Sequence, residues 1–120
     1  MSKFFYEGET DRLDLGDGEW AEIKLRMTYG DQQRVTGQYI KLQSRIARGT
    51  AEDADASIEM ETGQLALLEA NIIDWSLKDG KGAKLSITRD SLRRLWPEVA
   101  QSLLAEIGKR NPAYPFAKVG

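Results

Sequence analysis

A chain of 120 residues has the length of one ordinary domain, and 41% hydrophobic with 30% charged residues places it among globular chains rather than disordered or membrane-spanning ones. It has no cysteine and no histidine, which excludes disulfides, thiolate nucleophiles, imidazole bases and Cys/His metal sites and leaves only carboxylate or lysine chemistry and oxygen-ligand metals. The formal net charge of -2 hides blocks of opposite sign: residues 1–23 carry seven acids against Lys3 and Arg12, residues 24–48 six bases against Asp31, residues 49–77 no base, and residues 78–120 nine bases against four acids. Blocks of this kind pair with one another inside one fold or solvate its faces.

The opening MSKFFYEGETD sets three aromatics directly against charges, too short and too acidic for the apolar core of a signal peptide, so a cytoplasmic chain is expected. Residues 1–120 read as a single small domain, with 1–11 and 112–120 expected as flexible tails. Arg12 to Leu15 and Glu19 to Leu25 alternate on either side of Gly16-Asp17-Gly18, a turn able to supply positive φ, and this predicts a β-hairpin. Ala21, Ile23 and Leu25, joined by Leu13 and Leu15, fall on its buried face. Trp20, Glu22 and Lys24 fall on the outer face, where a partner or the C-terminal tail is placed to cover Trp20.

Thr28 and Asp31 offer capping oxygens for a helix from about Asp31, in which Val35, Tyr39, Leu42 and Ile46 form one apolar stripe. Arg34, Lys41, Arg45 and Arg48 form a basic ridge on another face. The ridge lacks interleaved aromatics and belongs to an acidic protein, so it reads as a solvated face and no nucleic-acid partner is expected. Residues 51–57, AEDADAS, read as an acidic surface loop. Glu52, Asp53 and Asp55 lack the glycine and terminal glutamate of an EF-hand, and no metal site is expected.

Thr62 is placed to cap a second helix with Leu65, Leu68 and Ile72 buried and Leu67 and Ile73 widening the stripe. Residues 72–77 fit either a continuation of that helix or a strand, since Ile73, Trp75 and Leu77 also alternate. Asp79-Gly80-Lys81-Gly82 is a turn without the spacing of a phosphate-binding loop. Residues 84–87 are extended, and Thr88 caps a helix beginning at Arg89. Pro97 divides the C-terminal helical region into a short helix to about Leu95 and a longer one, with Leu92, Trp96, Val99, Leu103 and Ile107 as the stripe and Trp96 as a core wedge at the joint. Gly108 and the basic residues after it end that helix, and the tail AYPFAKVG either packs back or stands free as a peptide handle. The fold class is therefore α+β, mainly helical, with an N-terminal β-hairpin followed by three to four helices.

Taken in order, these elements resemble the small tail assembly chaperones of long-tailed bacteriophages that infect Gram-positive and actinobacterial hosts. The resemblance runs over about residues 12–111. It is carried by Gly18-Glu19-Trp20 and its apolar strand, Leu25-Arg26-Met27-Thr28-Tyr29-Gly30-Asp31 entering a helix, the acidic segment, Ile73-Asp74-Trp75-Ser76-Leu77, the Asp-Gly turn, Leu85-Ser86-Ile87-Thr88 and the final leucine-rich helix. It implies a non-enzymatic viral protein of the host cytoplasm that binds the tape measure protein, keeps it soluble and assists tail tube assembly, with the tail tube protein and itself as further partners. No cofactor, nucleic acid or membrane is implied. Exposure, rather than any family motif, selects Arg34, Lys41, Arg45, Tyr114 and Phe116 as candidate partner contacts. The alternative is a structural head-tail connector or tail-completion protein of the virion. An enzyme built on Asp74 with Glu69 or Asp79 lacks a matching base and a paired spacing.

Overall fold

The computed structural model describes residues 3–49 and 53–117, the side chains of residues 41–46 and 53–60 excepted. Its elements are β1 (Thr10–Gly16), β2 (Glu19–Lys24), α1 (Tyr29–Ala47), α2 (Asp53–Asn71), β3 (Ile72–Trp75), α3 (Arg89–Arg93) and α4 (Pro97–Arg110), followed by a 3-10 turn at Pro115–Ala117. This is an α+β arrangement with an N-terminal antiparallel hairpin, and helix is its larger component. Among the described residues no helix is long and apolar enough to cross a membrane.

The sheet is antiparallel with strand order β1-β2-β3. Asp17 and Gly18 make the hairpin turn with φ of 54° and 79°, the left-handed pair that an Asp-Gly turn tolerates. Ala21 and Ile23 point inward and are fully buried, as the alternation requires. Leu25 does not follow them. The strand ends at Lys24, the chain bends, Leu25 is exposed, and Met27 takes the buried place. On the outer face Arg12 lays its guanidinium over Trp20, 3.7 Å from the ring centroid, so this chain's own cation covers that ring.

Helix α1 begins at Tyr29 with Thr28 before it as the cap. The Thr28 hydroxyl accepts from the Asp31 N–H at 3.1 Å, and the Asp31 carboxylate accepts from the Thr28 N–H at 3.0 Å. Val35 and Tyr39 are buried as the stripe predicts, while the side chains of Leu42 and Ile46 lie outside the described residues. Helix α2 corrects the acidic loop: it is already helical at Asp53, and Thr62 sits in its interior rather than at its cap. Acidic residues in a first turn suit the positive end of the helix dipole, so the composition taken for a loop also suits a helix start. Residues 51 and 52 lie outside the described residues.

The helix passes directly into β3 at Ile72, resolving the ambiguity at 72–77 in favour of a strand. A register shift between Glu22 and Ile23 throws Ile73 out to solvent, where the sequence pattern placed it inward. Trp75 is fully buried and donates its indole N–H to the Leu85 carbonyl at 2.8 Å. The turn at 79–82 closes on the Asp79 carboxylate, which accepts from the Lys81 and Ala83 amides.

Thr88 caps α3 through a reciprocal pair with Ser91. Pro97 opens α4, as its missing N–H favours, but Trp96 is 76% exposed and is not a core wedge. Its extended backbone, ψ 144°, takes it out of the helical phase on which the stripe was counted, and burial resumes in earnest at Leu103, Leu104 and Ile107. Helix α4 runs past Gly108 to Arg110. The glycine serves the tail instead: a Cβ there would stand 2.7 Å from the Ala117 carbonyl oxygen.

Residues 112–117 pack back on the domain and are no flexible tail. Tyr114 and Ala117 are buried, and Phe116 stacks on Tyr39 with centroids 4.7 Å apart and planes 7° from parallel. Tyr39 also lies against Gly63 of α2, where a Cβ would meet ring carbons at 2.6 to 2.9 Å. Helix propensity alone favours Gly63→Ala by about 1 kcal/mol. Because Phe116 blocks the ring's retreat, we expect the opposite sign, a net loss of about 1–3 kcal/mol, read as a lower urea midpoint with unchanged m-value.

Candidate functional site: an aromatic groove

Three stretches remote in sequence enclose an open groove of about 1070 Å³: the N-terminal segment from Phe4 to Glu9, the link from Leu25 to Gly30 between β2 and α1, and the turn from Arg110 to Tyr114 after α4. Its apolar surface comes from Phe4, 93% exposed, Phe5, 67% exposed, and Tyr29, 79% exposed, together with Tyr6 and Leu25. Aromatics standing this far out of a small domain on one concavity mark a contact surface rather than scattered exposure.

The link is held from both sides. Asn111, buried at the end of α4, accepts the Met27 N–H at 2.8 Å and donates to the Ile107 carbonyl at 2.8 Å, so one amide fixes the link to the helix C-terminus. Asp31 fixes the other end. Its carboxylate is buried and takes the Lys24 ammonium at 2.7 Å, the Arg34 guanidinium at 2.6 Å and the Thr28 amide. Burial alone would raise this carboxyl, but the bonds from Lys24, Thr28 and Arg34 outweigh it and hold the group below the ordinary aspartate range. Lys24 also lies 5.3 Å from the Tyr6 ring centroid, which ties the N-terminal segment to the same cluster. At the other rim Arg110 bonds Asp11 of β1 and Glu106 of its own helix.

Of the sequence-predicted contacts, Tyr114 lines the groove with its ring buried. Its hydroxyl is 2.6 Å from that of Thr36 and donates to the Gln32 carbonyl at 3.1 Å. Phe116 meets Tyr114 edge-on, with centroids 5.8 Å apart, and is partly buried against the core. Both rings therefore serve this chain's own packing. Arg34 keeps its side chain 72% exposed while engaging Asp31. The side chains of Lys41 and Arg45 lie outside the described residues. Sequence reasoning missed Phe4, Phe5 and Tyr29 as site residues. The signal was the Phe4-Phe5-Tyr6 run, an aromatic cluster that belongs to no periodic stripe.

Among the described residues no group of three or more acidic side chains is placed to hold a metal. The groove is lined by rings and aliphatic side chains together with the charged Glu9, Arg26 and Arg110, of which Arg110 is bonded to Asp11 and Glu106. That arrangement suits apolar docking of a polypeptide. Comparison with protein-family models, curated proteins and solved structures gives no match to this chain.

Replacing Asp31 with Asn leaves the largely buried Lys24 ammonium without its counter-charge, and we expect a loss of about 2–4 kcal/mol at pH 7. Since the folded carboxyl titrates below its unfolded value, the wild-type advantage is complete above roughly pH 4 and fades as pH falls through the lower folded value. Urea unfolding of both proteins at pH 7 and pH 3 checks the sign: the gap narrows at the lower pH.

Proposed function

We propose that this protein is a tail assembly chaperone of a long-tailed bacteriophage, a non-enzymatic protein that binds the tape measure protein in the host cytoplasm, keeps it soluble and assists assembly of the tail tube around it. The observation that carries the reading is the cluster of Phe4, Phe5, Tyr6, Leu25 and Tyr29 on one groove. A client of long amphipathic helices exposes apolar stripes before its tube is built, and an aromatic groove on a separate domain covers such a stripe without chemistry. The order of elements that carries the phage-tail resemblance supplies the rest of the support, including the tail tube protein as a further partner. On this reading Arg34 acts at one remove, through the carboxylate that holds the Leu25 to Gly30 wall.

Co-expression with the tape measure protein of the same genome tests the proposal. The expected result is a soluble complex, with the client insoluble when expressed alone. Equal insolubility with and without this chain, or recovery of this chain as a component of purified virions, contradicts it, the latter in favour of a connector or tail-completion protein. The double variant Phe5→Glu, Tyr29→Glu places two charges on the groove. It is expected to keep the wild-type circular dichroism spectrum while reducing soluble client at least about tenfold, as loss of two central aromatic contacts implies.

A further inference from the structure

The two outer edges of the sheet are finished differently. In β3 the Ser76 N–H bonds the Trp20 carbonyl and Glu22 pairs with Asp74, so Trp75 turns its main chain away from β2. That outward N–H is taken by the Asp74 carboxylate at 2.9 Å, and Asp74 is held in turn by Lys84 at 2.5 Å. The edge is capped there.

In β1 the Leu25 N–H bonds the Glu9 carbonyl, in register with the pairs Thr10 with Lys24, Asp11 with Ile23 and Arg12 with Glu22. Glu9, Asp11 and Leu13 therefore exchange hydrogen bonds with β2, up to the register shift between Asp14 and Gly16, and Thr10, Arg12 and Asp14 turn theirs outward. Among the described residues no protein group bonds the outward main chain of these three. Charged side chains at Arg12 and Asp14 discourage pairing with an arbitrary strand, which makes any pairing selective.

We infer that this edge pairs with the same edge of a second copy, antiparallel about a two-fold axis through Leu13, so that Arg12 of each copy faces Asp14 of the other. Three constraints meet in that register. Only outward-facing residues can form a hydrogen-bonded pair across the new seam, and Arg12 and Asp14 both face outward. Leu13 is the central residue of β1, so the register centred on it gives the fullest overlap of the two strands. Opposite charges then stand directly across from each other twice, whereas a shift that centres the axis on Arg12 sets the two guanidiniums face to face. The product is one continuous sheet made from the three strands of each copy, and the inference rests on β1 alone, independent of the groove's client.

Sedimentation velocity across a concentration series tests this on the full chain. The wild type is expected to dimerise with concentration. Arg12→Asp and Asp14→Arg, each alone, place like charges across both pairs and are expected to raise the dimer dissociation constant about tenfold. Mixing the two variants in equal amounts sets a carboxylate of one copy against a guanidinium of the other at both places in the mixed dimer, and is expected to recover wild-type association. Because the chain has no cysteine, Leu13→Cys supplies a second readout: the residue faces its own copy in a non-hydrogen-bonded pair, at about 4.5 Å between Cα atoms, within disulfide reach, so oxidation gives a covalent dimer. Arg12→Cys does not face itself and is expected to stay free of crosslinks under the same oxidation. If Arg12→Asp unfolds the hairpin through loss of its Trp20 contact, the Leu13→Cys result decides. A monomer up to concentrations on the order of 1 mM, a dimer indifferent to both reversals, failure of the mixture to recover association, or absence of the Leu13→Cys crosslink overturns the inference.

Discussion

One buried amide holds the architecture of the groove. Asn111 joins the Met27 N–H to the Ile107 carbonyl across most of the chain's length, and its neighbours depend on that join. Without it the link between β2 and α1 has no main-chain bond to the C-terminal half at Met27, and a buried donor stands unsatisfied. With it, Met27 enters the core, Leu25 and Tyr29 face out on either side, and the turn after α4 becomes the opposite wall. Asp31 does the same work electrostatically at the other end of the link, where Lys24, Thr28 and Arg34 converge on a carboxylate that water scarcely reaches.

The second tie is a layered contact of backbone and rings: Gly63, Tyr39, Phe116 and Tyr114 in succession. It secures the C-terminal segment against the α1 and α2 pair, so the segment that completes the groove is itself part of the core. The groove wall and the core therefore share residues at this end of the molecule. Tyr114 is both a groove residue and a buried one, while the rings of Phe4, Phe5 and Tyr29 stand exposed on the same groove.

Much of this frame was legible where one physical signal dominated. The hairpin rests on Asp17-Gly18 and on alternation through Ala21 and Ile23; the α3 and α4 starts rest on Thr88 and Pro97. Sequence periodicity failed where the chain leaves a regular path. Trp96 keeps stripe spacing with Leu92 and Leu103, yet its extended backbone at the helix joint breaks the phase that spacing assumes. Ile73 alternates correctly but sits in a bulge, and Asp53 begins a helix whose acidic composition suits a loop equally well. The groove was the least legible part. It assembles three segments that share no local pattern, and its strongest residues show only as aromatics that no stripe claims.

The groove's shape depends on the Leu25 to Gly30 wall being held in place by Asn111. Amide hydrogen exchange at Met27 measures that directly. Slow exchange is expected at Met27, comparable with Ile23 inside the sheet, with selective acceleration at Met27 when Asn111 is replaced by Ala. Exchange at Met27 as fast as at the exposed Gly80 in the wild type would contradict it.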